Sequence, residues 1–168
     1  MLKNNKKVKL EKNGVRKIHT PLGKLYVLST EIGIIKITSK KNIENNSIGK
    51  KHLDSAERWL ISYFNGSEIK RPELDYQNMT EFQKKTLNEL MINVKFGKTV
   101  NYTELAFLIR NKTAIRAIGT ALAKNPWPII VPCHRVIKKD NSIGRYSGIG
   151  GKMGKKLLLE HEGVKIFN

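Results

Sequence analysis

The sequence predicts an α/β chain of the α+β kind, with strands and one helix first and a mostly helical part after. Three observations carry this. Short runs rich in Val, Ile, Leu and Tyr lie before residue 40, an amphipathic stripe covers 55–65, and further helical patterns follow residue 80. The composition changes across 67–79, which divides the chain into an N-terminal domain at 1–75 and a C-terminal domain at 80–168.

Each element follows from local chemistry. Arg16 to Thr20 is short and mixed, and Pro21-Leu22-Gly23 after it is a turn signal. Lys24 to Ser29 and Ile32 to Thr38 read as strands joined near Glu31 to Gly33. Ala56, Trp59, Leu60, Tyr63 and Phe64 recur at helical spacing, so Ser55 to Asn65 is a helix that Gly66 ends. Ser67 to Asn78, with Pro72, reads as a linker.

Thr80-Glu81-Phe82-Gln83 is a capping box for a helix reaching about Asn93, with Phe82, Leu87, Leu90 and Met91 on its buried face. Thr103 to Arg110 and Thr113 to Lys124 form two helices with a tight turn, a helix-turn-helix candidate. Ile115, Ile118, Gly119, Leu122 and Ala123 share one face of the second, and Arg116 sits in its first turns. Asn125-Pro126-Trp127-Pro128 stops that helix. Ile129-Ile130-Val131 reads as a buried strand, and Lys155 to Glu162 is a final helix with Gly163 as its C-cap.

Composition bounds the function classes. Hydrophobic residues make up 39% of the 168, enough for a packed core. No apolar run approaches the roughly 20 residues of a membrane span, and no secretory signal follows the basic start. Cys133 is the single cysteine, which excludes an internal disulfide and a multi-cysteine zinc site and fits a reducing, cytoplasmic setting. The four histidines make no ligand-spaced motif, so no metal site is expected. Lys and Arg number 32 against 14 Asp and Glu, a net charge of +18. Self-repulsion of that size favours a polyanionic partner: nucleic acid first, anionic membrane second, with lysine-rich solubilisation as the remaining reading. The densest basic stretch is Lys3 to Lys17.

Chemistry concentrates in Pro132-Cys133-His134-Arg135-Val136. Two readings fit Cys133. A lone cysteine is commonly buried and inert. A cysteine beside His134 and Arg135 can be a nucleophile, because cationic neighbours lower the thiol pKa. Adjacent side chains on an extended segment point opposite ways, so a direct Cys133–His134 contact needs a bend or a bridging water. Gly144, Gly148, Gly150 and Gly151 surround Arg145-Tyr146-Ser147, a loop that lets backbone approach a ligand.

These residues resemble the O6-alkylguanine-DNA alkyltransferase family, also called methylated-DNA–protein-cysteine methyltransferases. The resemblance rests on Asn125-Pro126, Pro132-Cys133-His134-Arg135-Val136, Tyr146-Ser147-Gly148 and Leu158-Leu159-Glu160-His161-Glu162-Gly163. Asn101-Tyr102-Thr103-Glu104-Leu105-Ala106 and Ala114-Ile115-Arg116-Ala117-Ile118-Gly119 extend it upstream, and residues 1–75 match in outline. It implies a small N-terminal domain with an antiparallel sheet, and a C-terminal domain with a winged-helix-like helix-turn-helix. Cys133 is then the alkyl acceptor, His134 its base through a water, Glu162 the partner of that histidine, and Asn125 the residue ordering the turn.

By the same resemblance Tyr102 would serve the departing guanine and its phosphate. The Ser147 N–H would meet guanine O6, and the Cys133 and Val136 carbonyls its amine. Tyr146 and Pro128 would wall the base pocket, and Arg116 would fill the space left by a flipped base. Arg135 and Gly148 complete the candidate DNA- and base-binding set. The partner implied is double-stranded DNA carrying O6-alkylguanine, bound in the minor groove without regard to sequence by a monomer, with no cofactor and no membrane. One cysteine and a thioether product imply a single turnover. The stretch from Gly148 to His161 is about two residues longer than in the family, with Ile149-Gly150 the insertion; extra residues placed elsewhere would let Glu160 compete as the histidine partner, but Glu162 is preferred because it keeps the Leu158-Leu159-Glu160-His161-Glu162-Gly163 string intact. The alternatives are an alkylated-DNA sensor without chemistry, against which Cys133 speaks, and a cysteine hydrolase, whose local signatures are missing.

Overall fold

A computed structural model describes residues 13–40, 46–67 and 69–166. The start of the basic stretch, to residue 12, lies outside them. The chain forms two compact units, Met1–Asp75 and Tyr76–Asn168. No described helix is long and apolar enough to cross a membrane.

The first unit is a three-stranded antiparallel sheet in the order β1 (Gly14–Thr20), β2 (Gly23–Ser29), β3 (Ile34–Thr38), packed against helix α1 (Lys50–Phe64). Central strand β2 is buried from Leu25 through Ser29, which explains its unbroken apolar run. Arg16 pairs with Asp54 at 2.9 Å and with Glu57, so the β1 face carrying Arg16 and Ile18 looks at α1. Val15, Tyr26 and Leu28 form a separate cluster, joined by Ile35.

α1 begins five residues before the expected Ser55, at Lys50. Its N-cap is Gly49 in the left-handed region (φ 62°), with no side-chain cap to reveal it in the sequence. A Cβ there would lie 2.0 Å from Thr30 O, so only glycine fits. His52 and Leu53 extend the buried stripe, while Phe64 is half-buried. The expected linker is pinned to the edge of β3. The Ile34 N–H donates to Glu73 O at 2.8 Å, and the Asp75 N–H donates to Ile34 O at 2.9 Å.

The second unit contains α2 (Glu81–Asn93), β4 (Val100–Asn101), α3 (Tyr102–Leu108), α4 (Ile115–Ala123), a 3-10 turn at Cys133–Arg135, β5 (Val136–Ile137) and α5 (Gly151–His161). The capping box of α2 is present: Thr80 Oγ1 accepts from Gln83 N at 3.2 Å, and Gln83 Oε1 accepts from Thr80 N at 3.1 Å. Thr80→Ala should therefore cost about 1 kcal/mol in urea unfolding. An unchanged midpoint would show that packing of Leu87 and Leu90 alone holds this end.

A second box starts α3. Asn101 Oδ1 accepts from Thr103 N and Glu104 N, and Glu104 Oε2 accepts from Asn101 N at 2.7 Å. Asn101 also ends β4, which pairs in parallel with β5. The start of α3 is thereby tied to the segment leaving the Cys133 turn. α3 and α4 form the helix-turn-helix pair, but the connection runs from Ile109 to Ala114, longer than the two residues expected. Arg110 takes a left-handed conformation (φ 57°) that ends α3 early. On α4 the buried residues are Ile118, Ala121 and Leu122; Ile115 is 42% exposed, Gly119 is half-buried and Ala123 is exposed.

Ile129-Ile130-Val131 is no strand. All three are fully buried, but Ile129 has φ 79° and Val131 N–H donates back to Trp127 O at 2.9 Å. A short apolar run does not distinguish a buried strand from a buried turn. α5 starts at Gly151, four residues before the expected Lys155, and ends at His161 with Glu162 as its C-cap, one residue before the expected end. The Val164 N–H donates to Leu159 O and the Gly163 N–H to Glu160 O, closing the helix on Gly163.

Candidate active site

Pro132 carries the chain through an inverse γ-turn, in which the Cys133 N–H donates to Val131 O at 2.8 Å. The 3-10 turn that follows separates the neighbouring side chains. Cys133 reaches a cavity of about 840 Å³, whereas His134 turns into the protein and is fully buried. Asn125 orders this corner. Its Nδ2 donates to Val131 O at 2.9 Å and approaches Cys133 Sγ at 3.0 Å, while its Oδ1 accepts from Trp127 N at 3.0 Å. One amide therefore holds both ends of the strained Ile129 turn and contacts the sulfur.

Behind the turn lies a buried charge cluster. His134 Nε2 is 2.7 Å from Glu162 Oε1. Arg135 Nε donates to Glu162 Oε2 at 2.8 Å, its Nη2 to Oε1 at 3.0 Å, and its Nη1 to Val94 O at 2.7 Å. The Gly97 N–H adds a bond to Glu162 Oε2 at 3.1 Å. Glu162, and not exposed Glu160, meets the histidine. Arg135 was placed with the DNA-contacting residues by sequence. The structure instead buries Arg135 at 0% exposure, with its guanidinium engaged by the Glu162 carboxylate and the Val94 carbonyl.

Tyr102, Arg116, Cys133, Tyr146 and Ser147 all line the cavity. Gly144 and Arg145 of the glycine-rich loop also line it, as do Gly119, Thr120, Lys124 and Lys152, which the sequence does not mark as ligand-facing. Pro128, Val136 and Gly148 are not among the lining residues, and Pro128 and Val136 are buried. Gly148 acts by its lack of a side chain: a Cβ there would lie 2.3 Å from Tyr146 Cζ, so the glycine seats the tyrosine ring. Ser147 Oγ donates to Ala123 O at 3.1 Å, fastening the glycine-rich loop to the end of α4.

Lys155 is the residue the sequence hid. It lies among Lys152 and Lys156 on a basic helix, yet it is 1% exposed. Its Nζ donates to Val136 O at 2.5 Å and stands 5.9 Å from the centre of the Tyr146 ring. Burial lowers its pKa to about 8, opposed by the negative charge Cys133 can carry.

The electrostatics revise the sequence expectation for the thiol. Burial pushes Cys133 above its ordinary value; the Asn125 hydrogen bond and the Lys155 charge pull the other way without overcoming it. The resting group is therefore a thiol. Burial also lowers His134, against the pull of Glu162, so the imidazole rests neutral. Burial alone would raise Glu162, but its bonds to His134 and Arg135 bring it to about 2. With His134 neutral, Arg135 is the cation that keeps this carboxylate ionised. An ionised carboxylate at Nε2 fixes the Nε2–H tautomer and leaves Nδ1 as the basic nitrogen. Carbamidomethylation of Cys133 by iodoacetamide should thus keep rising above about pH 9, the ordinary thiol range. A plateau near neutrality would mean a thiolate at rest.

Comparison with known proteins agrees in both units. Residues 81–164 match the family described as 6-O-methylguanine DNA methyltransferase, DNA binding domain, and residues 15–71 match its ribonuclease-like domain. The mouse methylated-DNA–protein-cysteine methyltransferase is 43% identical over 112 residues, 63% of this chain, and that match spans 53% of the mouse protein. The chain thus spans about half the length of that relative. The human protein of the same name is 34% identical over 167 residues, covering 89% of this chain and 80% of its own length. Among solved structures, Mycobacterium tuberculosis OGT in complex with DNA superposes with TM-score 0.74 at 31% identity, covering 89% of this chain and 93% of that one. The archaeal O6-methylguanine-DNA methyltransferase from Pyrococcus kodakaraensis gives 0.58 at 29% identity, covering 90% and 99%. Matches to both domain types, and a human relative aligned over most of both chains, leave one assignment: the chain belongs to the 6-O-methylguanine DNA methyltransferase family.

Proposed function

We propose that this chain removes the O6-alkyl group of guanine in DNA by moving it to Cys133, once per molecule. The observation that carries this is the division at the Cys133 turn, with the sulfur on a cavity and a neutral, carboxylate-oriented histidine buried beside it. His134 Nδ1 receives the thiol proton through one water. The thiolate attacks the alkyl carbon, an S–C bond forms and the C–O6 bond breaks, and the electron pair leaves on guanine. The guanine takes up a proton. Lys155 and the Asn125 amide favour the thiolate as it forms.

A base inside a duplex cannot reach this cavity, so it is flipped out at a cost of a few kcal/mol. Arg116 fills the gap, Tyr102 contacts the turned nucleotide, Tyr146 stacks against the base on its Gly148 seat, and the Ser147 N–H meets O6. The carbonyls of Cys133 and Val136 take the exocyclic amine, the latter shared with Lys155. Pro128 supports the turn beside the pocket from its buried position. The second unit is the DNA-binding and alkyl-acceptor domain, corresponding to 80–168. It approaches the minor groove as a monomer through charge and shape, without reading sequence, in the cytoplasm.

Intact mass after incubation with excess duplex containing one O6-methylguanine tests this. The expected result is a gain of one methyl group on Cys133 and no further turnover. An unmodified protein that still binds the duplex is a sensor, and the reaction assignment fails.

A further inference from the structure

The second unit has another depression, remote from Cys133 in its lining. A cavity of about 580 Å³ at the C-terminal end of α3 is lined by Phe107, Leu108, Arg110 and Lys112, none of them acidic. Phe107 is 66% exposed, and Lys112 Nζ stands 5.7 Å from its ring centre. The backbone beside it is strained. Arg110 N–H donates to Phe107 O and Asn111 N–H to Ala106 O, both at 2.9 Å, a helix ending that puts Arg110 in the left-handed region. Glycine takes that conformation without cost, so an arginine held there is a strained residue of the kind found at binding sites. An exposed ring in a cavity lined by two cations suits an unpaired nucleotide: the base stacks and the phosphates meet the charges. A paired base offers no free face, so the geometry selects single strands.

We infer that this cavity is a second nucleic-acid site, which stacks an unpaired base of single-stranded DNA on Phe107 and holds its phosphates with Arg110 and Lys112. The inference deepens the repair reading and rests on DNA being the partner. The lining residues of the two cavities do not overlap, so the sites are separable by mutation.

The test measures binding of the full chain to an oligothymidine of about sixteen nucleotides, at several salt concentrations, together with single-turnover methyl transfer from a lesion duplex. Phe107→Ala should weaken oligothymidine binding about tenfold with no change in salt dependence, because it removes a stack. Arg110→Gly should also weaken it and reduce the salt slope by about 0.7, one phosphate contact. It relieves the left-handed backbone, so its melting temperature should stay level or rise, and misfolding cannot imitate the result. Transfer from the duplex should be unchanged in both. Oligothymidine affinity within about twofold of the parent in both variants would overturn the inference. So would a parallel loss of duplex repair, which would make Phe107 part of the duplex surface. Absence of transfer in the unaltered chain would overturn the repair reading instead and leave the oligothymidine comparison readable.

Discussion

Cys133→Ser should leave a lesion duplex bound and unrepaired. Serine fits the site, since its oxygen can accept from Asn125 Nδ2 as the sulfur does. The loss is chemical. A hydroxyl is a far weaker acid than a thiol, and a neutral His134 whose pKa is already depressed by burial is a weak base for it. Single-turnover transfer should fall by roughly a thousandfold or more, while duplex affinity in a gel-shift assay stays level. A variant that still gains the methyl group would place the acceptor elsewhere and undo the reading of the whole cavity.

The second large effect is expected at Glu162. One carboxylate holds the buried guanidinium of Arg135, the imidazole of His134 and the Gly97 N–H. Glu162→Gln leaves Arg135 buried without its counter-charge, which costs about 3 kcal/mol. It also removes the group that fixes the His134 tautomer, so transfer should slow by about a hundredfold. The sign of the pH effect follows from a carboxyl brought down to about 2 from an ordinary 4.5. The unfolded chain binds the proton first as pH falls, so the stabilisation is complete above about pH 4.5 and is lost on the way to about 2. Urea unfolding at about pH 6 and about pH 3 checks this. If the glutamine variant loses as much stability on acidification as the parent, another carboxylate governs the acid limb.

The sequence was most legible where side chains state their own role. Thr80 and Gln83 mark the start of α2, and the run from Leu25 to Ser29 marks the central strand. It was least legible where backbone or burial decides. Gly49 starts α1 by conformation, with no capping side chain to see. Ile129-Ile130-Val131 looks like a strand because burial, whether in a strand or in a turn, selects the same side chains. Arg135 and Lys155 were misread or missed for one reason: cations are ordinarily on the surface, and only tertiary structure shows a Glu162 or a Val136 carbonyl waiting for them. The resemblance brought Cys133, His134, Glu162 and Asn125 together before any geometry did, and the geometry adds what joins them.

The lone buried sulfur makes the protein its own gauge. A fresh chain, opened in denaturant, presents one sulfhydryl to a colorimetric reagent, and no other residue of the sequence can add to the count. A chain alkylated as proposed would present none, because a thioether does not release its carbon to such reagents. The fraction of a preparation still competent can therefore be measured without DNA, substrate or label, by titrating sulfhydryls against protein concentration.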